Sequence, residues 1–131
     1  MTEKIPSSHR DLLDDESKAF AFLATLMLDH TPQVTPVWFN MAGDTLLINS
    51  SVGRVKDRNL RKDPNVAVAI MDLKHPNRYL QIRGVVSDIT TDGAEDHIHQ
   101  LSHKYNGRDF SIPEGQVRVK YAILIKHVFA S

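Results

Sequence analysis

Residues 54–71 read RVKDRNLRKDPNVAVAIM, and this stretch decides how the chain is organised. Its first part is built from good helix formers and stops at Asp63, because the ring of Pro64 disfavours helical geometry in the residue before it. A short helix is predicted over about 54–62. VAVAIM, residues 66–71, is an unbroken apolar run of strand length rich in β-branched residues, the pattern of a strand buried on both faces. A charged helix that feeds directly into a central strand sets the frame for the rest.

Upstream, AFAFLATLML at 19–28 and QVTPVWFNM at 33–41 flank a turn at 29–32 and read as two antiparallel strands. The turn Ala42-Gly43-Asp44 leads into TLLIN, a third strand, and three successive strands predict a meander. Ser8 with Asp11 three residues later has capping-box spacing, with Leu12, Leu13 and Glu16 on the helix that follows. Downstream, 72–77 reads as a polar loop and 78–90 as a long alternating strand. Ala94, Ile98, Leu101 and Tyr105 then recur at spacings of four, three and four, an amphipathic helix closed by Gly107. Alternation of Val117, Val119, Tyr121, Ile123 and Ile125 makes 116–128 the last strand. Strands dominate, and a strongly twisted sheet of this length curls, so the expected fold is mainly β: one closed or split β-barrel domain over residues 1–131 with short flanking helices.

Composition removes several function classes. The 131 residues carry 16 basic and 16 acidic side chains, so no global field exists to hold a long nucleic acid. With no cysteine there is no disulfide, thiolate nucleophile or cysteine metal site, which fits a cytosolic protein. The N-terminus lacks the apolar core of a signal peptide, and the longest apolar stretch, 19–28, is far short of the roughly 20 residues that span a bilayer. His99 and His103 are one helical turn apart but have no third ligand at a metal-binding spacing, and His97 and His127 read as ordinary histidines. Neither a Ser-His-Asp pattern nor a carboxylate pair stands out, which leaves the chemistry to a bound cofactor.

One segment does carry a signal. Arg54, Lys56, Arg58, Arg61 and Lys62 are opposed only by Asp57 and Asp63, and they follow a strand and the loop Ser50-Ser51-Val52-Gly53. Helix-start N–H groups, two hydroxyls and a flexible glycine thus converge with cations where a phosphate would dock. Trp38, the single tryptophan, shares a strand face with Pro36 and offers either a flat wall for a planar ring or an ordinary core aromatic.

The ordered set FAFLATL, QVTPVWF, LLINSS, RVKDRNLRKDPNVAVAI and YLQIRGVVSDIT resembles the pyridoxamine-phosphate-oxidase-like flavin and deazaflavin oxidoreductases, in particular their small deazaflavin-dependent (F420-dependent) branch, over 20–128. The resemblance implies a split β-barrel homodimer with the cofactor at the subunit interface. It places Arg54, Lys56, Arg58 and Asn59 at the phosphate, with Ser50 and Ser51 in the loop before them, and Pro36, Val37 and Trp38 along the tricyclic ring. The implied cofactor is coenzyme F420, with FMN as the alternative. Arg61 and Lys62 could serve the oligoglutamate tail that only the deazaflavin coenzyme carries. The implied activity is hydride transfer to a small or planar organic substrate; a non-catalytic flavin- or tetrapyrrole-binding protein is the other class. Two departures from the family pattern are visible: Asp29-His30 stands where Asp-Gly is usual, and little sequence follows the last strand to cover a substrate. The apolar runs at 19–28 and 66–71 call for cover from a second subunit, with Tyr79 and Gln81 as candidate contacts across it.

Overall fold

The computed structural model describes residues 5–131. Seven antiparallel strands form one sheet: β1 Phe20–Leu26, β2 Pro32–Val37, β3 Phe39–Ala42, β4 Thr45–Ser51, β5 Asn65–Asp72, β6 His75–Thr90 and β7 Arg118–Ala130. Helix α1, Val55–Lys62, joins β4 to β5, and α2, Ala94–Asn106, joins β6 to β7. Laid out flat, the strand order is β2-β1-β5-β6-β7-β4-β3. The first three strands therefore do not form a meander. β2 pairs with β1 at one edge, β3 pairs with β4 at the other, and Trp38 alone links the two edges. One residue can bridge opposite edges only if the sheet curls until they meet, so the topology itself requires a barrel with its split at Trp38.

Inward-facing side chains fill the barrel. Ala21, Leu23 and Thr25 of β1, Val66, Val68 and Ile70 of β5, Leu80 and Ile82 of β6 and Val119, Tyr121, Ile123 and Ile125 of β7 are all buried. Leu60 from α1 and Leu12 from the N-terminal segment join the same core, each 1% exposed, so truncating either to Ala would cost about 2–5 kcal/mol. β1 thus alternates despite its uniformly apolar sequence, with Phe20, Phe22, Ala24 and Leu26 half-buried on the outer face.

Close packing of β6 on β7 explains Gly84. A Cβ there would lie 2.5 Å from the Leu124 carbonyl oxygen and 2.9 Å from Ile123 Cγ2, at one of two register shifts that bend these long strands.

Local differences from the sequence expectations have plain causes. Ser7–Leu13 is a 3₁₀ turn without a side-chain cap: Ser8 Oγ bonds the His9 ring at 2.8 Å, and Asp11 is drawn to Arg78, which also donates to the Ser8 carbonyl at 2.8 Å. No capping box forms. β6 starts at His75 rather than after Asn77, because Asp72 Oδ1 accepts the Lys74 N–H at 2.9 Å and tightens the turn. In the β1–β2 turn His30 takes the left-handed conformation, φ +68°, that a glycine would adopt without strain.

Candidate functional site

Beside the split in the barrel lies a cleft of about 350 Å³, lined among others by Phe20, Pro36, Val37, Trp38, Phe110 and the cations Arg54, Lys56 and Arg118. The reason for a cleft here is local. Trp38 sits in the one-residue break between β2 and β3, outside the strand ladder, so its ring must find cover from elsewhere. Tyr105 of α2 stacks on it with ring centroids 5.3 Å apart and planes 11° from parallel, and Phe110 meets it edge-on at 6.2 Å. The same helix satisfies backbone groups at the split: Tyr105 Oη donates to the Ala19 carbonyl at 2.7 Å, and Lys104 Nζ donates to the Phe39 carbonyl at 2.8 Å. Burial lowers the Lys104 pKa, against the opposing pull of Asp15 3.6 Å away.

On the cationic side, Arg54 stands at the N-terminal boundary of α1, without a side-chain capping bond, and Lys56 lies in its first turn. Among the described residues neither they nor Arg118 has a carboxylate within ion-pair distance. Burial lowers the Lys56 pKa, and the charges of Arg54 and Arg118 lower it further. Arg118 is pushed down by burial and by Arg54 in the same way. Three crowded like charges without a counterion make a site that an anion would relieve, and the donor set suits a phosphate.

Asp57 belongs to the scaffold of this site. It is 1% exposed, and burial pushes its pKa up, but it accepts the Gly53 N–H at 3.0 Å, the Tyr121 hydroxyl at 2.5 Å and Arg61 Nε at 3.1 Å, which together hold it below the usual carboxylate value. The carboxylate within the basic segment is therefore spent on folding the Gly53 loop against α1, not on neutralising Arg54 or Lys56.

Arg118 is the residue that sequence reading passed over. Its Nε donates to Asn49 Oδ1 at 2.9 Å and its Nη1 to Gln116 Oε1 at 2.7 Å. Asn49 Nδ2 donates in turn to the Ala94 carbonyl at 2.9 Å and to His97 Nδ1 at 3.0 Å, and the far nitrogen of His97 lies 2.9 Å from Asn40 Oδ1. Burial, then the charges of Lys120 and Arg118, lower the His97 pKa to about 4, and a neutral ring that accepts the Asn49 NH₂ at Nδ1 carries its proton on Nε2, facing Asn40 Oδ1.

Of the sequence-derived candidates, Pro36, Val37, Trp38, Arg54 and Lys56 share the cleft. Arg58 and Asn59 face a second groove on the other side of α1, of about 590 Å³, with Met27, Asp29, Arg61 and Lys62. Asn59 is buried and donates to Thr25 Oγ1 at 3.0 Å, fastening α1 to β1. Ser50 and Ser51 end β4 and are buried; alternation turns Ser50 to the barrel interior, where its hydroxyl has no partner among the described residues, and Ser51 to the face of Asn49. His99 accepts the Phe110 N–H at 3.1 Å and His103 binds Asp109 at 2.6 Å, so both tie down the segment that carries Phe110. Among the described residues no three His, Asp or Glu groups are placed to hold a metal, and no helix is long and apolar enough to cross a membrane.

Comparison with known proteins agrees with this architecture. The pyridoxamine 5'-phosphate oxidase family profile matches residues 6–128. A solved structure named F420 reductase is 31% identical, superimposes with a TM-score of 0.84, and is matched over 95% of this chain and 98% of its own. HupZ from Group A Streptococcus (18% identity, TM-score 0.71, 97% of this chain and 94% of its own) shares the fold. So does a conserved hypothetical protein from Mycobacterium tuberculosis (18%, 0.71, 99% and 88%). A search of curated protein sequences gave no match. With the family profile spanning nearly the whole barrel, the chain belongs to the pyridoxamine 5'-phosphate oxidase-like family of split β-barrel flavin and deazaflavin oxidoreductases.

Proposed function

We propose that this protein is a cytoplasmic oxidoreductase that binds coenzyme F420 and passes a hydride to a small or planar organic substrate, acting as a homodimer with the cofactor at the subunit interface. The observation that carries the reading is the cleft at the barrel split, where Arg54, Lys56 and Arg118 meet without a carboxylate beside the aromatic wall of Trp38, Phe20 and Phe110. The 31% identity to an F420 reductase favours the deazaflavin over FMN.

Each part of the chain has a distinct task. Arg54, Lys56 and Arg118 would hold the phosphate, and Pro36, Val37 and Trp38 would position the ring and keep water from it. The reduced deazaflavin supplies the hydride. Arg58 and Lys62, in the groove across α1, offer cations to a carboxylate tail that FMN lacks, beside Arg61, whose Nε is held by Asp57. At about 350 Å³ the cleft lies at the lower end for small-ligand pockets, so much of the coenzyme would extend beyond it, where a second subunit can close over it. Support for that subunit comes from the outer face of β1, β5, β6 and β7, where Phe22, Ala24, Ala69, Met71 and Tyr79 are only half-buried and Phe129 of β7 is 54% exposed. Gln81 pairs opposite Ala69 on the same face.

Two measurements test the reading. Ring fluorescence is followed while FMN and oxidised coenzyme F420 are titrated separately; the deazaflavin should bind more tightly and lose affinity more steeply with salt. Equal or tighter FMN binding would make FMN the cofactor, and binding without turnover of the reduced coenzyme across candidate acceptors would favour a carrier. Light scattering coupled to size exclusion should give a dimer; a mass near 14.8 kDa with full affinity would rule out the shared site.

A further inference from the structure

Arg118 is 7% exposed, and the groups that hold it are all uncharged. A buried arginine is ordinarily fixed by a carboxylate, which cancels its charge as it fixes its position. Here the amide oxygen of Asn49 takes Nε and that of Gln116 takes Nη1, so two of the five guanidinium N–H groups fix the orientation while the charge stays whole. The Asn49 amide can point only one way. Turned over, it would set its NH₂ against the Arg118 N–H and its oxygen against the Ala94 carbonyl. His97 completes the chain from α2: its Nδ1 accepts from Asn49, and its Nε2–H donates to Asn40 Oδ1.

We infer that Asn49 and His97 are positioning residues for the anion site, a neutral buried relay that aims Arg118 at the bound phosphate without neutralising it. The inference rests on the phosphate-binding reading of the cleft given above. An aspartate at position 49 would keep the size of the side chain but cancel the charge of Arg118 and lose the N–H groups that reach the Ala94 carbonyl and His97 Nδ1, so only an amide serves both sides of the relay.

The test uses inorganic phosphate as the probe, titrated into the full chain while backbone and arginine Nε–H resonances are followed by NMR. Variants are Asn49→Asp, Arg118→Ala and the double substitution. The parent should show phosphate shifts at Arg54, Lys56 and Arg118. Asn49→Asp should bind at least about tenfold more weakly, and the double variant no more weakly than Arg118→Ala alone, because Asn49 acts through Arg118. Undiminished phosphate affinity in Asn49→Asp, additive losses, or no shift at Arg118 in the parent would overturn the inference. Should Asn49→Asp not fold, ¹⁵N shifts of the parent decide: His97 protonated on Nδ1 is incompatible with the relay. FMN and coenzyme F420 are titrated in parallel. Phosphate binding that obeys this pattern without binding of either coenzyme keeps the relay and removes the cofactor reading. Coenzyme binding that is indifferent to Asn49→Asp does the reverse.

Discussion

Acidification should destabilise this protein through His97, and the size of the effect follows from where that ring sits. It is 3% exposed, with both nitrogens in hydrogen bonds to Asn49 and Asn40, and Lys120 and Arg118 nearby add unfavourable positive charge. Its pKa falls from the ordinary 6.5 to about 4. In the unfolded chain the imidazole takes up a proton as pH drops through 6.5, whereas the folded protein refuses it until about 4. The stability contributed by neutral His97 is therefore fully present above 6.5, drains away as pH falls towards 4, and then levels off. At about 1.4 kcal/mol per pH unit the loss approaches about 3 kcal/mol, a large share of the 5–15 kcal/mol typical of a domain.

His97→Gln isolates this contribution, since glutamine keeps an amide between Asn49 and Asn40 but cannot titrate. Denaturant unfolding from about pH 7 to about pH 4 should give a steeper loss of stability in the parent than in the variant, with the difference confined to that window. Carboxylates titrating over the same range contribute to both and cancel. Identical pH slopes for the two proteins, or an imidazole seen by NMR to titrate near 6.5, would refute the argument.

Lys56→Ala should weaken coenzyme F420 binding about ten- to a hundredfold, and Arg58→Ala, across α1, markedly less; equal losses in a direct titration would move the phosphate to the other side of the helix. His30→Gly should raise stability by about 1 kcal/mol, because the left-handed backbone at φ +68° strains any residue with a Cβ; an unchanged or lower denaturation midpoint would show that the ring earns its place through contacts. Gly84→Ala should cost about 1–3 kcal/mol or more, since the new methyl meets the Leu124 backbone; a fully stable variant would mean that β6 and β7 can separate there without penalty.

What the sequence made legible depended on how far apart the deciding residues lie. α1 and β5 were readable because Pro64 and the VAVAIM run act locally, and α2 because its apolar period is complete within itself. Strand pairing was not. Placing β2 and β3 at opposite edges depends on β1 pairing with β5 and β4 with β7, a choice made by the whole barrel, while the text from 33 to 41 shows only continuous strand-forming residues. Arg118 escaped notice for the same reason: its partner Asn49 lies 69 residues away, and its own strand shows simple alternation with Lys120. Lys56 and Arg58 looked equivalent within a charged run, yet two positions on a helix are turned by about 200°, which sends them to different grooves.

The position of the cleft then follows from the topology. A barrel whose two edge strands are consecutive in sequence must cross its own split, and a single residue leaves Trp38 no ladder to join. The backbone there still has to be satisfied, and α2 does this with Tyr105 on Ala19 and Lys104 on Phe39. Once α2 is pinned at the split, its first turn brings His97 and the Ala94 carbonyl against Asn49 near the end of β4, which in turn takes the side chain of Arg118 from the start of β7. β4 runs on from there through Gly53 to the N-terminus of α1, so Arg54 and Lys56 arrive on the same side. Aromatic wall and cationic end are thus brought together by the one helix that repairs the split. A substitution that loosens α2, such as Tyr105→Phe with its lost bond to Ala19, should disturb both ends of the cleft together, with changed NMR shifts at Trp38 and Arg118 alike; a change confined to Trp38 would show that the two halves are held independently.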